Sequence, residues 1–337
     1  MRNLFFLGLM SILFFGCAPA VNEVNVYSGR HYEIDEVLFA EFYEETGIKV
    51  NVIKADADQL ISRMELEGSA SPADLLFTVD AGRLVLADQR GLLQSFESSL
   101  VDELVPLSYR DAGGKWVGLT SRARVFVYHK DKVNPADLST YEALADPRWR
   151  GQILVRTSQN QYNQTLMASM IAALGAEKAE EWSRALVANF ARSPQGNDRD
   201  QVKAVAAGAG SIAIVNTYYV GLLHNSEIAE ERALVDNLGI FFPNQGDRGT
   251  HINISGVGLA AHAPNRENAI KLIEFLLSDH AQQLLANSNF EYPVSSRVPW
   301  PTLVQQWGEF KADTLQLSDL RSYLQEAMFI FDRTGWK

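Results

Sequence analysis

Cysteine is nearly absent from this 337-residue chain, because Cys17 is its single example. One thiol excludes an internal disulfide and any zinc site built on cysteine pairs. The six histidines are scattered, and no H-E-x-x-H motif occurs. The chain also lacks a G-x-S-x-G element, a G-x-x-x-x-G-K-[ST] phosphate loop and a dinucleotide-binding glycine fingerprint after its first predicted strand. These absences argue against the enzyme classes that a sequence indicates most readily.

Positive charge is also scarce, and the formal net charge is -11. No basic stripe with interleaved aromatic residues occurs, so we expect no nucleic-acid partner. An acidic surface mostly serves solubility, although it is compatible with a cationic ligand.

Long apolar runs are confined to the start, "MRNLFFLGLMSILFFGC", where Leu4 to Phe15 follow Arg2. That run has the length of a signal-peptide core and is too short to span a bilayer. It ends in "FFGC", which resembles a lipoprotein processing site. We therefore predict a signal segment over 1–17 and lipidation of Cys17. The body would then be a tethered protein at the periplasm or the outer face of the cell envelope. The alternative is an ordinary secreted chain.

Strand and helix patterns alternate along the rest of the chain. Strands are predicted for "EVNVYSGRHY", "IKVNVIKA", "ADLLFTVD", "GQILVRTS" and "SIAIVNTYY". Helices are predicted for "EIDEVLFAEFYEETG", "DADQLISRMELEG", "YNQTLMASMIAAL", "EKAEEWSRALVANF", "RDQVKAVAAG" and "NRENAIKLIEFLLS". This order predicts an α/β fold with mostly parallel sheets flanked by helices.

The length suggests about two such lobes. Two further apolar runs, "SRARVFVYHK" and "HINISGVGLAAHA", are candidates for strands that cross between them. We predict a two-lobed clamp, with the first lobe formed by 22–121 plus about 250–295. The second lobe is formed by 122–249 plus about 296–337. Ligands of open α/β sheets bind beyond the carboxyl ends of strands, which here is the cleft between the lobes.

Tyrosines follow three of the predicted strands. His31 and Tyr32 end the first strand, Tyr162 follows "GQILVRTS", and Tyr218 and Tyr219 end "SIAIVNTYY". In a clamp all of these positions face the cleft, so four phenols and an imidazole would converge.

Phenolate is a hard anionic oxygen ligand that suits a small, highly charged cation. Free tyrosine has a pKa of about 10, and a trivalent ion lowers it enough to remove the proton. Ferric iron is the abundant ion that fits. Three phenolates neutralise its charge, and Arg122 is placed to offset a fourth. The predicted metal ligands are therefore His31, Tyr32, Tyr162, Tyr218 and Tyr219.

Two other interpretations remain open at this point. Tyr218 and Tyr219 can instead form part of an aromatic box for a cationic or organic solute. A secreted hydrolase or lyase would use His31 as a base with a carboxylate such as Asp198, although no nucleophile is evident.

The sequence resembles the periplasmic ferric-ion-binding proteins of ABC iron-uptake systems, which have the two-lobed solute-binding fold. The segments that carry this resemblance are "VNVYSGRHY", "RARVFVYHKDKV", "ADPRWRGQILVRTSQNQYNQ", "PQGNDRDQVKAVAAGAGSIAIVNTYYVG" and "GDRGTHINISGVGLAAHAPNRENAIKLIEFLLS". They cover nearly all of the chain after the signal segment, in order.

The resemblance implies that Tyr218, Tyr219, Tyr162 and Tyr32 are iron ligands. His31 is a ligand in some members and a bystander in others, and Arg122 matches a cleft arginine that balances charge or holds an anion. Some relatives carry an arginine where this chain has Leu222. The implied function is a non-enzymatic, monomeric receptor that captures Fe(III). It would deliver the iron to an ABC permease with its ATPase subunit, and lipid on Cys17 would attach the receptor to the membrane.

Overall fold

The computed structural model describes residues 22–337. The predicted signal segment and the lipidation of Cys17 therefore lie outside the described residues. Within the described part, no helix combines the length and the apolar character needed to cross a membrane.

Strands and helices alternate as the sequence predicts. The strands are β1 Glu23–Ser28, β2 Lys49–Lys54, β3 Leu75–Thr78, β4 Trp116–His129, β5 Ile153–Leu154, β6 Ile212–Asn216, β7 Leu238–Phe241, β8 Ile252–Leu259 and β9 Tyr292–Pro293. The helices of the first half of the chain are α1 Ile34–Thr46, α2 Ala57–Glu67, α3 Ala81–Gln89, α4 Ser99–Leu104, α5 Gln161–Leu174 and α6 Ala176–Ala188. Those of the second half are α7 Asp198–Ala206, α8 Thr217–His224, α9 Ala229–Leu234, α10 Arg266–Leu276, α11 Asp279–Asn289, α12 Thr302–Gln306 and α13 Leu324–Thr334.

Local signals fix several helix ends. Gly47 ends α1 in the left-handed conformation, with φ of 68°, which a glycine adopts without a steric penalty. Asn160 precedes α5, and its side chain accepts a hydrogen bond from the backbone N–H of Tyr162. At the start of α7, Asn197 and Asp200 exchange hydrogen bonds in a capping box. Two of these three ends carry residues of the site or its surroundings.

The strands follow the order β2-β1-β3-β8-β4-β6-β5, and β7 and β9 also pair with β4. Pairing is parallel for β1 with β2, β1 with β3, and β5 with β6. The strands β4 and β8 pair antiparallel with their neighbours. The α/β class with a helix-flanked sheet is confirmed, but the sheet is mixed rather than mostly parallel. The reason is that the long strand β4 and the returning strand β8 run against the strands on either side.

Strand β4 changes its partner part-way along its length. Its residues from Trp116 to Ala123 pair with β8, and those from Arg124 to Tyr128 pair with β6. The first group of strands packs against α1, α10 and α11, and the second against α5, α6 and α13. One of the two predicted crossover segments is thus a strand shared by both groups. The other, β8, pairs with β3 and β4 only, so it lies wholly in the first group.

The tyrosine pair differs from the sequence-based prediction. The strand predicted for "SIAIVNTYY" ends at Asn216, and Tyr218 and Tyr219 lie in the first turn of α8. Neighbouring residues of a helix are about 100° apart, not on opposite faces as in a strand. Both phenols can therefore point to the same region of the molecule.

Candidate metal centre

Four tyrosine side chains gather in one cluster. The hydroxyl oxygens of Tyr162 and Tyr218 are 3.2 Å apart. The rings of Tyr218 and Tyr219 stack with their centroids 4.2 Å apart. Tyr32 and Tyr162 are buried together with Val79, and Tyr219 packs against them at the edge. All four tyrosines that the sequence singles out therefore lie together.

These phenols lie at the ends of strands and helices, and this placement explains their convergence. Tyr32 lies between β1 and α1, Tyr162 opens α5, and Tyr218 and Tyr219 open α8. The last three therefore lie at helix N-termini, where unpaired N–H groups and the helix dipole favour negative charge.

Burial works in the opposite direction on the phenols. It raises the pKa of Tyr32 well above its usual value, with Glu291 adding to the effect. It also raises the pKa of Tyr218 and of Tyr219, and the neighbouring phenols add to both shifts. These three hydroxyls are therefore protonated at neutral pH when no cation is bound. A positive ion among them has to displace protons.

His31 is exposed, and its ring centroid lies 5.5 Å from that of Tyr32. Partial desolvation and the Arg30 guanidinium lower its pKa, so the imidazole is neutral near pH 7. A neutral ring nitrogen can coordinate a metal. The structure places His31 beside the cluster rather than among the buried phenols.

Arg122 is buried beside the phenols. Its guanidinium carbon is 5.8 Å from the ring centroid of Tyr162 and 5.7 Å from that of Tyr218. One Nη donates to the carbonyl oxygen of Val79, and the Nε lies 3.7 Å from an oxygen of Glu291. Burial alone would lower the pKa of Arg122, but Glu291 and the phenols outweigh it and raise that pKa. The guanidinium stays charged.

No motif or pattern in the sequence indicates that Glu291 belongs to the site, yet its side chain is fully buried there. Its carboxylate accepts hydrogen bonds from the hydroxyls of Thr120, at 2.5 Å, and Tyr32, at 3.4 Å. It therefore connects Tyr32 to Arg122. A lone glutamate between Phe290 and Tyr292 gives no periodicity or motif from which this position follows.

A second group of charges lies on the other side of the phenols. Arg124 donates to Asp198 at 2.5 Å, to Asn163 at 2.8 Å and to Asn216 at 3.2 Å. Asn163 follows Tyr162 directly, and Asn216 lies two residues before Tyr218. This arginine therefore connects the two helix starts that carry three of the phenols. The sequence does indicate that Arg124 lies near this site. Arg122 and Arg124 are two residues apart in a predicted strand, so their side chains lie on the same face.

Arg156 is a further arginine near the phenols. Its guanidinium carbon lies 5.5 Å from the ring centroid of Tyr162, and one Nη lies 3.6 Å from Asp198. Asp198 is thus held by two arginines and by the backbone N–H of Asn216 at 2.9 Å. This carboxylate is not the free general base that a hydrolase or lyase would need.

The donor set limits which chemistry is possible. Over residues 22–337 no group of three or more histidine, cysteine, aspartate and glutamate side chains is placed to hold a metal. Oxygen ligands at the cluster would come from the four phenols, and these suit a hard, highly charged cation. The cluster fits a trivalent ion far better than a thiolate- or imidazole-seeking one.

Two α/β halves joined through a shared strand, with a ligand-type cluster drawn from both, define a two-lobed binding protein. The chain belongs to the bacterial extracellular solute-binding protein family, whose model matches residues 70–306.

Similar proteins agree with this placement. The chain is 50% identical to iron uptake protein A1 of Synechocystis sp. over 94% of its own length and 88% of that protein. It superposes with a TM-score of 0.90 on the Trichodesmium protein FutA in complex with iron and citrate ligands, at 46% identity, covering 94% of this chain and 100% of that one. For the ferric binding protein of Campylobacter jejuni the TM-score is 0.89 and the identity 40%, with 93% and 100% covered. The resemblance found in the sequence is confirmed.

Proposed function

We propose that this protein captures ferric iron between its two lobes through phenolate oxygens of Tyr32, Tyr162, Tyr218 and Tyr219. The observation that carries this proposal is the phenol cluster itself, with the 3.2 Å approach of Tyr162 to Tyr218 at its centre. Relatives named for iron uptake and ferric iron binding support the choice of cargo.

The proposed iron ligands come from both lobes of the clamp. Tyr32 belongs to the lobe of 22–121 plus about 250–295, and the other three belong to the lobe of 122–249 plus about 296–337. Iron held by both lobes makes contacts that an open clamp lacks, so binding favours the closed state. His31 would complete the coordination shell from the exposed side.

The remaining parts of the proposal concern the cell. The closed, loaded form docks on an ABC permease driven by its ATPase subunit, the receptor is a monomer, and lipid on Cys17 tethers it at the envelope. No chemical reaction is catalysed, and release follows when the phenolates are protonated or the iron is reduced.

The test is a visible absorption spectrum of residues 22–337 before and after ferric citrate is added. Iron-bound phenolates give a charge-transfer band, so we expect an orange to red colour that saturates near one iron per chain. Tyr219→Phe should lose much of that band and bind iron more weakly, because one hydroxyl is removed and the ring stays. Tyr43→Phe is the matched control, since Tyr43 is 54% exposed on α1 and lies outside the cluster.

A protein that stays colourless and metal-free with ferric citrate would refute the proposal. The solute would then be an organic or cationic small molecule held against the stacked rings of Tyr218 and Tyr219.

A further inference from the structure

The charges around the phenols do not cancel evenly. Four phenolates on Fe(III) leave one negative charge in excess, and the sequence assigns its compensation to Arg122. Arg122 already faces the buried carboxylate of Glu291, with 3.7 Å between Nε and the nearer oxygen. The buried carboxyl group of Asp80 adds to this, because Arg83 and Arg122 partly counter the burial that raises the pKa of Asp80 to about 6. The charge of Arg122 is therefore largely offset by the protein.

The positive charge of Arg30 is also offset by a carboxylate of the protein. Its guanidinium carbon lies 4.8 Å from the ring centroid of Tyr32, but its Nε and Nη2 donate to both oxygens of Asp35, at 2.9 and 2.7 Å. A bidentate pair of this kind is close to neutral as seen from the phenols.

The other side of the cluster has two arginines for one carboxylate. Arg124 holds Asp198 at 2.5 Å and is buried, whereas Arg156 is 3.6 Å from the same carboxylate and keeps 17% of its side chain exposed. Burial lowers the pKa of Arg156, but Asp198 and then the phenols of Tyr219, Tyr162 and Tyr218 outweigh it and raise that pKa. On this side of the phenols, the two arginines outnumber the one carboxylate, and the surplus positive charge is that of Arg156.

We propose that Arg156, rather than Arg122, supplies the positive charge that the fourth phenolate requires, and so sets how tightly the site holds ferric iron. This inference rests on the proposed function. A unit charge about 6 Å from the iron-bound phenolates changes the affinity on the order of tenfold to a hundredfold at an effective dielectric constant of about 20. With the same ligands the ferrous complex carries one more negative charge, so Arg156 also raises the reduction potential of the bound iron.

The experiment compares Arg156→Gln with Arg156→Lys in residues 22–337. We expect Arg156→Gln to bind ferric iron on the order of tenfold to a hundredfold more weakly in competition with citrate, and to lower the reduction potential. Arg156→Lys should restore most of both, because the charge returns although the planar fork does not. Arg148→Gln is the control: it removes an arginine of the same region whose side chain is 49% exposed and pairs with Asp146.

The outcomes separate this inference from the proposal beneath it. Unchanged affinity and potential in Arg156→Gln would overturn the role of Arg156, while a coloured wild type would leave the ferric site standing. Equal losses in Arg156→Gln and Arg156→Lys would also overturn it, because shape rather than charge would then matter. Circular dichroism and the Tm of the iron-free variants identify any loss that comes from unfolding. A colourless wild type would count against the ferric site itself.

Discussion

At the scale of single residues, the site is a set of phenols embedded in paired charges. The phenols were predictable, because residue type and position after a strand are local properties of the sequence. Their surroundings were not: Asp198 is 74 positions from Arg124, and Glu291 is 171 positions from Thr120. Only the completed fold brings such pairs together, so Glu291 and the role of Asp198 carried no readable signal.

Glu291→Gln tests this arrangement of charges with a sign opposite to that of Arg156→Gln. The substitution keeps the volume and leaves Arg122 buried without its carboxylate, which we expect to cost about 3 kcal/mol of unfolding free energy. The freed positive charge of Arg122 then attracts the iron-bound phenolates, so ferric affinity should stay equal or increase. Urea denaturation of the iron-free protein and citrate competition measure the two effects.

The matching control is Glu142→Gln. The carboxylate that it removes pairs with Arg248 at a distance of 2.6 Å, and this pair lies away from the phenols. It should reduce stability without increasing iron affinity. A Glu291→Gln variant that binds iron more weakly would instead mean that Glu291 holds Tyr32 in position.

At the scale of elements, periodicity identified most of the strands and helices near the site. Helix α1 is ended by Gly47, the last residue of the segment predicted for it, and the helices α5, α7 and α10 overlap segments predicted as helical. The error at "NTYY" has a physical reason, since β-favouring residues run straight from a strand into the first turn of a helix. Pairing direction was also beyond the pattern, because alternation does not show which way the neighbour of a buried strand runs.

Gly221→Ala tests how closely helix α8 must pack to place its tyrosines. A Cβ added at Gly221 would lie 2.5 Å from the ring of Phe290, which precedes Glu291. Helix α8 or Phe290 then has to move, and we expect a loss of about 1–3 kcal/mol in stability together with weaker iron binding. Thermal denaturation and citrate competition measure both.

Gly246→Ala is the comparison, because nothing lies within 4 Å of a Cβ at that position. It should leave iron affinity as in the wild type. Wild-type affinity in Gly221→Ala as well would show that the placement of Tyr218 and Tyr219 tolerates movement of α8.

At the scale of the whole molecule, β4 is the element that relates the two halves. Arg122 and Arg124 lie two residues apart on it, on either side of the point where its partner changes from β8 to β6. Arg122 faces Glu291 from one half, and Arg124 faces Asp198 from the other. The same strand thus contacts, through these side chains, the partner of Tyr32 on one side and the helix starts of Tyr162 and Tyr218 on the other.

Coordination by several phenolates predicts how acid acts on the iron-loaded protein. Burial raises the pKa of Tyr32, Tyr218 and Tyr219, so iron has to displace a proton from each of them on binding. The stabilisation that iron gives is therefore present at neutral pH and is lost as falling pH returns those protons. We expect the charge-transfer band to fade on acidification with a slope of more than one proton per iron, and the iron-dependent increase in Tm to disappear over the same range.

Tyr219→Phe should show a shallower slope, because one displaced proton is gone. Far-ultraviolet circular dichroism at each pH separates release from unfolding. A wild-type band that fades with a one-proton slope, or only where the fold itself is lost, would contradict coordination by several phenolates.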